Sequence, residues 1–81
     1  MKAFTTLLKS EIKKAESLAN RTLGVNNCKV TGYYAKKAED IGAGEWYQVR
    51  CEICCNSKRA DIDVILHVPM FNRRKTWAQV V

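Results

Sequence analysis

Apolar residues recur every three or four positions over the first part of the chain. They are Leu7, Leu8, Ile12, Ala15, Leu18, Ala19 and Leu23, with Lys9, Lys13, Glu16 and Asn20 between them. This spacing puts the apolar side chains on one side of a helix and predicts an amphipathic α-helix from Thr6 to Leu23. Thr5 or Thr6 is expected to cap its first amide groups, and Gly24 to supply the left-handed residue that ends many helices.

From Cys28 onward the apolar period changes to two, which is typical of strands with one buried face. In the first strand the residues expected to point inward are Cys28, Val30 and Tyr34, and those expected to face water are Lys29, Thr31 and Tyr33. The apolar face of the second strand consists of Tyr47, Val49, Cys51, Ile53 and Cys55. We therefore expect the helix to cover one face of these strands.

A third strand follows the predicted turn at Asn56, Ser57 and Lys58. Its apolar residues are Ala60, Ile62, Val64, Leu66 and Val68, which alternate with Asp61, Asp63 and His67. Pro69 is expected to end this strand, and residues 76–81 form a final short strand. Because the connections are short, neighbouring strands should pair antiparallel. The pattern predicts one α+β domain over residues 1–81, an N-terminal helix packed on a four-stranded antiparallel meander sheet.

Length and composition narrow the class of function. A chain of 81 residues builds one modest core and has few residues left to form the walls of a catalytic cleft. We therefore expect a binding protein and no enzyme. No apolar run is long enough to span a membrane, and residues 1–9 are too short an apolar segment for a signal peptide. We therefore expect a cytoplasmic protein without a membrane partner, or else a mature fragment whose leader has been removed. The net charge of +6, from 14 basic and 8 acidic residues, favours acidic partners.

The four cysteines raise the question of a metal site. Cys51 and Cys54 have the spacing of a zinc-binding pair, with Cys28 and His67 as conceivable further ligands. On an extended strand, however, Cys51 and Cys54 point to opposite faces and do not chelate one ion. The preferred interpretation is that Cys28, Cys51 and Cys55 are small buried apolar residues, and that Cys54 lies on the outer face.

Catalytic groups are hard to assemble from this sequence. The one histidine, His67, is predicted on the outer face of a strand, away from a base or an orienting group for a nucleophile. Asp61 and Asp63 share a strand face, which solvent exposure explains equally well. Gly42 and Gly44 precede a strand and not a helix, so they do not form a phosphate-binding loop. We expect neither an active site nor a cofactor.

Basic residues suggest nucleic acid or a ribonucleoprotein as an alternative partner. The candidates are Arg73, Arg74, Lys75, Lys58 and Arg59. Phe71 and Trp77 flank the first three, and nucleic-acid surfaces often combine cations with aromatic rings. In this alternative the chain is a basic protein of the kind that phages and mobile elements use to inhibit a host system. A homodimer formed by pairing exposed sheet edges is a further possibility.

The order of one long helix and four antiparallel strands resembles the cystatin fold of the cystatin and stefin inhibitors of papain-like cysteine proteases. Residues 42–50, with sequence Gly-Ala-Gly-Glu-Trp-Tyr-Gln-Val-Arg, are similar to the segment that carries the family's first inhibitory hairpin. Residues 40–44 stand where the family has Gln-x-Val-x-Gly and keep its last glycine, and residues 68–70 stand near the second hairpin loop. The resemblance implies inhibition by steric occlusion of a protease cleft.

The residues expected to bind a protein partner follow from this resemblance and from exposed aromatic positions. They are Asp40, Ile41, Gly42, Ala43, Gly44, Trp46, Tyr33, Pro69, Met70 and Phe71. Tyr33 and Trp46 are expected to form an aromatic patch on the outer face of two paired strands, because exposed aromatic side chains commonly anchor interfaces.

Overall fold

The computed structural model describes residues 6–37 and 46–81. Helix α1 spans Lys9–Leu23 and is followed by strands β1 (Cys28–Lys37), β2 (Trp46–Cys55) and β3 (Lys58–Pro69). A 3-10 turn at Arg73–Lys75 leads into strand β4, Trp77–Val80. The strands lie side by side in chain order, and each pairs antiparallel with the next. This confirms the predicted α+β arrangement. Within the described ranges, no helix is long and apolar enough to cross a membrane.

Helix α1 begins three residues later than the periodicity predicts. Its N-cap is Leu8, whose N–H donates to Oε1 of Glu11 at 2.8 Å, so a carboxylate inside the first turn replaces the expected threonine cap. The hydroxyl of Thr6 instead meets the hydroxyl of Tyr33 at 2.8 Å, and Thr5 lies outside the described residues. The predicted end is confirmed, because Gly24 adopts φ 68° at the C-cap.

The face that α1 turns to the sheet is largely the predicted one, because Leu7, Ala15 and Ala19 are buried and Ile12 and Leu18 pack against the core. The buried stripe is Leu7, Glu11, Ala15 and Ala19, spaced by four, while the predicted members Leu8 and Leu23 are exposed. The alanines have no exposed surface, and such small side chains let the helix backbone approach the strands closely. The pattern of apolar residues did not include Glu11, because a carboxylate is not expected on a buried face.

A β-bulge in β1 reverses the predicted orientation of two tyrosines. The pairing of β1 with β2 shifts register between Val30 and Gly32, which adds one residue to β1. After the bulge Tyr33 lies opposite the buried Cys51 on the helix side, and Tyr34 lies opposite Arg50 on the outer side. The prediction that Tyr34 points inward and Tyr33 outward is therefore wrong, since one inserted residue exchanges the two faces.

Strands β2 and β3 carry most of the core, as their alternation predicts. Their fully buried residues are Val49, Cys51, Ile53, Val64, Leu66 and Val68. The two strands are joined through Asn56 and Ser57, which both have positive φ as a two-residue hairpin loop requires. Pro69 is the last residue of β3, as predicted, and β4 is shorter than predicted by one residue at each end.

Candidate functional site

Two aromatic rings meet at one end of the sheet. Trp46, the first residue of β2, lies opposite Pro69, the last residue of β3. The Phe71 ring packs edge-on against Trp46, with ring centroids 5.8 Å apart and planes inclined by 74°. Pro69 is fully buried, whereas Phe71 is 51% exposed. We call Trp46, Pro69, Met70 and Phe71 the aromatic end.

The aromatic end brings together four of the residues predicted to bind a protein partner. Strand β1 reaches the same end of the sheet, because Lys37 lies opposite Tyr47. The last residue of β1, Lys37, and the first residue of β2, Trp46, therefore both lie at this end of the sheet. The predicted residues 40–44 belong to the segment between these two residues and lie outside the described residues.

Tyr33 does not join the aromatic end. Its hydroxyl contacts the Thr6 hydroxyl and accepts the N–H of Leu7 at 3.2 Å, which ties the segment before α1 to the inner side of β1. The hydrogen bond with Thr6 and then that with the Leu7 N–H lower the pKa of the Tyr33 phenol. The predicted outer-face patch of Tyr33 and Trp46 is therefore wrong, because the bulge in β1 turns Tyr33 away from that face.

A buried carboxylate fixes the chain segment that follows the aromatic end. Arg73 Nε donates to Glu11 Oε2 at 2.7 Å, and a second guanidinium nitrogen binds Glu11 Oε1. The Thr76 hydroxyl also donates to Glu11 Oε2, at 3.0 Å. Glu11 is 1% exposed, so this ion pair is largely shielded from solvent. The sequence analysis placed neither Glu11 nor Thr76 at any site.

The hydrogen bonds decide the charge of Glu11. Burial by itself raises the pKa of this carboxyl, but the hydrogen bonds from Arg73, the Leu8 N–H and Thr76, with the positive charge of Arg73, bring the pKa below its ordinary value. The hydrogen bond to Glu11 in turn raises the pKa of Arg73. The pair is thus fully ionised at neutral pH and joins α1 to the turn after β3.

The basic residues proposed for nucleic acid fall into two groups. Arg73 is held by Glu11, while Arg74 and Lys75 beside it are exposed. Lys58 and Arg59 lie at the other end of β3, where Arg59 forms salt bridges with Asp63 at 3.5 Å and Glu52 at 3.8 Å. The structure therefore does not bring the five residues into one continuous patch.

The outer face of the sheet carries a second group of exposed side chains. Two rows cross the strands, Tyr34–Arg50–Ile65–Gln79 and Lys36–Gln48–His67–Trp77. The rings of His67 and Trp77 are stacked, with centroids 3.9 Å apart and planes inclined by 11°. Tyr34 is 71% exposed. Strict alternation placed Tyr34 on the inner face, although Gly32, a glycine inside a strand, is a signal for the β-bulge that lies next to it.

Three of the four cysteines, Cys51, Cys54 and Cys55, belong to β2 and point to different faces of it, and Cys28 belongs to β1. Cys51 is buried, and this burial, with the nearby charge of Asp63, raises its pKa to about 11. Cys54 lies on the outer face, where its sulfur is 3.6 Å from the hydroxyl of Thr31. Burial, followed by the hydrogen bond and charge of Cys55, raises the pKa of Cys28. Among the described residues, no group of three or more potential ligands is arranged to hold a metal ion.

Comparisons of the chain with protein-family models, curated proteins and solved structures find no significant match.

Proposed function

We propose that the chain is a non-enzymatic inhibitor that inserts the aromatic end into a cleft of a protein partner and blocks it. The observation that carries the proposal is the edge-to-face contact of Trp46 with Phe71 at the end of a rigid sheet. The partner class proposed is the papain-like cysteine proteases, because the order of one helix and four antiparallel strands resembles the cystatins. Steric occlusion needs no catalytic group.

The support beneath Phe71 favours this use. The turn that carries Phe71 begins at the buried Pro69, and the N–H of Asn72 donates to the carbonyl of Pro69 at 3.1 Å. Arg73, two residues after Phe71, is bound to Glu11 of α1. Phe71 thus lies between two fixed points, so that ordering it on binding costs little conformational entropy.

The side chains of the aromatic end suit an apolar cleft. Phe71 and the half-buried Met70 offer apolar surface, and aromatic side chains are common anchors of protein interfaces. Methionine adapts its shape to irregular pockets. Together they form a small apolar wedge at one end of the sheet.

The test is inhibition of papain by the intact chain and two alanine variants. We expect Phe71→Ala to weaken inhibition by about tenfold or more, because it removes a central aromatic anchor. The matched control is Tyr34→Ala, which removes an exposed aromatic ring from the outer face and should leave inhibition unchanged. Absence of inhibition by the intact chain, or equal loss in both variants, would overturn the proposal.

A second candidate function is binding of single-stranded nucleic acid. Trp77, whose ring is stacked on His67, lies three residues after the exposed Arg74 and two after the exposed Lys75. This spacing places cations beside aromatic rings. Such a combination serves phosphate contacts and base stacking in proteins that bind single strands.

Binding to a random oligonucleotide measured against salt concentration tests this second candidate. Each phosphate contact of a single strand contributes about 0.7 to the salt slope, so the double variant Arg74→Ala, Lys75→Ala should lower the slope by about 1.4. The control variant Lys58→Ala should change the salt slope less, because Lys58 belongs to the other basic group, at the far end of β3. A salt-independent affinity would exclude phosphate contacts.

A further inference from the structure

The two edges of the sheet are protected differently. On β1, side chains of α1 accept backbone N–H groups that point away from the sheet: Cys28 donates to Asn20 Oδ1 at 2.9 Å and Val30 donates to Glu16 Oε2 at 3.1 Å. These bonds satisfy donors that an incoming strand needs. The start of the β1 edge is therefore closed to another strand.

The β4 edge is open. The N–H of Val81 donates to the carbonyl of Asp63 at 2.9 Å, so by the alternation of an antiparallel ladder the backbone groups of Ala78 and Val80 point away from β3. Lys14 covers only the residue before the strand, where its Nζ donates to the carbonyl of Thr76 at 2.8 Å. In the described part of the chain, no side chain forms a hydrogen bond with the backbone of Ala78 or Val80.

A groove of about 420 Å³ runs between this edge and α1. Its lining includes Lys13, Lys14, Ser17, Leu18, Arg21 and Ala78. Leu18 and Ala78 give it an apolar floor, while the three cations give it a positive rim. The lining contains no carboxylate. The acidic residues of α1 are engaged elsewhere, since Glu11 binds Arg73 and Glu16 binds the β1 edge.

We propose that this groove binds an extended acidic peptide segment of a partner protein, which adds to the sheet as a fifth strand beside β4. The open N–H and C=O groups of Ala78 and Val80 supply the backbone hydrogen bonds, as in other strand-addition complexes. Alternate side chains of the peptide point toward α1, where carboxylates meet Lys13 and Arg21. The side chains between the carboxylates point to the opposite, outer face of the sheet, because successive side chains of a strand alternate between its two faces.

The charges of the groove favour this occupant over the alternatives. Pairing of two β4 edges in a homodimer would bring Lys13 and Arg21 of both copies to the same seam, and like charges there oppose association. A nucleic acid would satisfy the cations but has no alternating donors and acceptors spaced to match the β4 backbone. An acidic peptide complements both features.

This inference is independent of the proposed inhibitor function, because the groove and the aromatic end share no residue.

The probe is a fluorescent peptide of alternating glutamate and valine, with binding followed by fluorescence anisotropy. The double variant Lys13→Glu, Arg21→Glu should bind about tenfold more weakly or worse, since it reverses two charges of the groove. The control Lys29→Glu, Lys36→Glu makes the same change of net charge on the outer face and should retain most of the affinity.

A second arm tests strand addition without altering the protein. Two versions of the peptide are N-methylated on one or the other set of alternate amides. The version methylated on the amides that face β4 should lose binding, and the other version should bind as the unmodified peptide does, because only one set of amides donates to the edge. Papain inhibition measured on the same charge-reversal variant should be unaffected, which separates failure here from failure of the inhibitor proposal.

Several results would overturn the inference. Equal binding of both methylated peptides would show that charge alone attracts the probe. A chain that sediments as a dimer and does not bind the peptide would assign the edge to a second copy. Comparable binding of oligothymidylate, lost in the Lys13→Glu, Arg21→Glu variant, would assign the groove to nucleic acid.

Discussion

The guanidinium of Arg73 and the carboxylate of Glu11 form a two-point ion pair between residues 62 positions apart in the chain. Glu11 belongs to the first turn of α1, and Arg73 belongs to the turn that follows the aromatic end. Together with the hydrogen bonds of Thr76 to Glu11 and of Lys14 to the Thr76 carbonyl, the pair joins the helix to the segment that follows Phe71. Its removal should therefore affect both stability and the proposed binding surface.

Replacing Arg73 by alanine should lower the free energy of unfolding by about 3 kcal/mol, because it leaves the Glu11 charge buried without its partner. Urea denaturation followed by circular dichroism measures this loss. The matched control is Arg74→Ala, which removes the neighbouring exposed cation and should cost less than about 0.5 kcal/mol. Equal effects of the two variants would show that the ion pair does not stabilise the fold.

Stability should fall with acid in a window set by Glu11. The folded state holds the pKa of this carboxyl below its ordinary value of 4.5, so the folded state binds its proton less readily than the unfolded state. The stabilisation that the ionised Glu11 contributes is therefore complete above about pH 4.5, and it is lost as the pH falls through the pKa of Glu11 in the folded state. The stability difference between the native chain and Glu11→Gln, followed by urea denaturation, should shrink across this window. A constant difference would contradict the assignment.

The cysteines should differ in their reaction with a thiol reagent. Cys51 has its pKa raised to about 11 and is buried, so almost no thiolate forms there near pH 7 and access is blocked. Cys54, on the outer face, should react first in the native protein. Alkylation with iodoacetamide followed by peptide mass spectrometry measures the order, and unfolding in urea should remove the difference. Early modification of Cys51 in the native state would be inconsistent with the β2 orientation.

The two adjacent tyrosines provide a matched test of the β1 bulge. Tyr33→Phe removes the hydroxyl that contacts Thr6 and Leu7, and should cost about 1 kcal/mol of unfolding free energy. Tyr34→Phe alters an exposed outer-face residue and should cost close to nothing. Thermal or urea denaturation compares the two. A larger loss for Tyr34→Phe would restore the strict alternation that the sequence predicts.

Much of the fold was predictable because it depends on local periodicity. The spacing in α1, the alternation in β2 and β3, the ending of α1 at Gly24 and that of β3 at Pro69 all follow from preferences of neighbouring residues. These preferences are carried by side chains two to four positions apart. They suffice for one helix on an antiparallel sheet and for the buried faces of β2 and β3.

Tertiary structure decided the features on which the site depends. The burial of Glu11 follows from its partnership with Arg73 and Thr76, more than sixty residues away, and no local pattern encodes that pairing. The bulge after Val30 is set by the register of β1 on β2, and it determined that Tyr34 and not Tyr33 faces outward. The position of α1 likewise determines that its side chains bind the edge N–H groups of Cys28 and Val30 on β1. Sequence by itself determines which faces are apolar, whereas packing determines which polar groups are paired across the fold and which remain available to a partner.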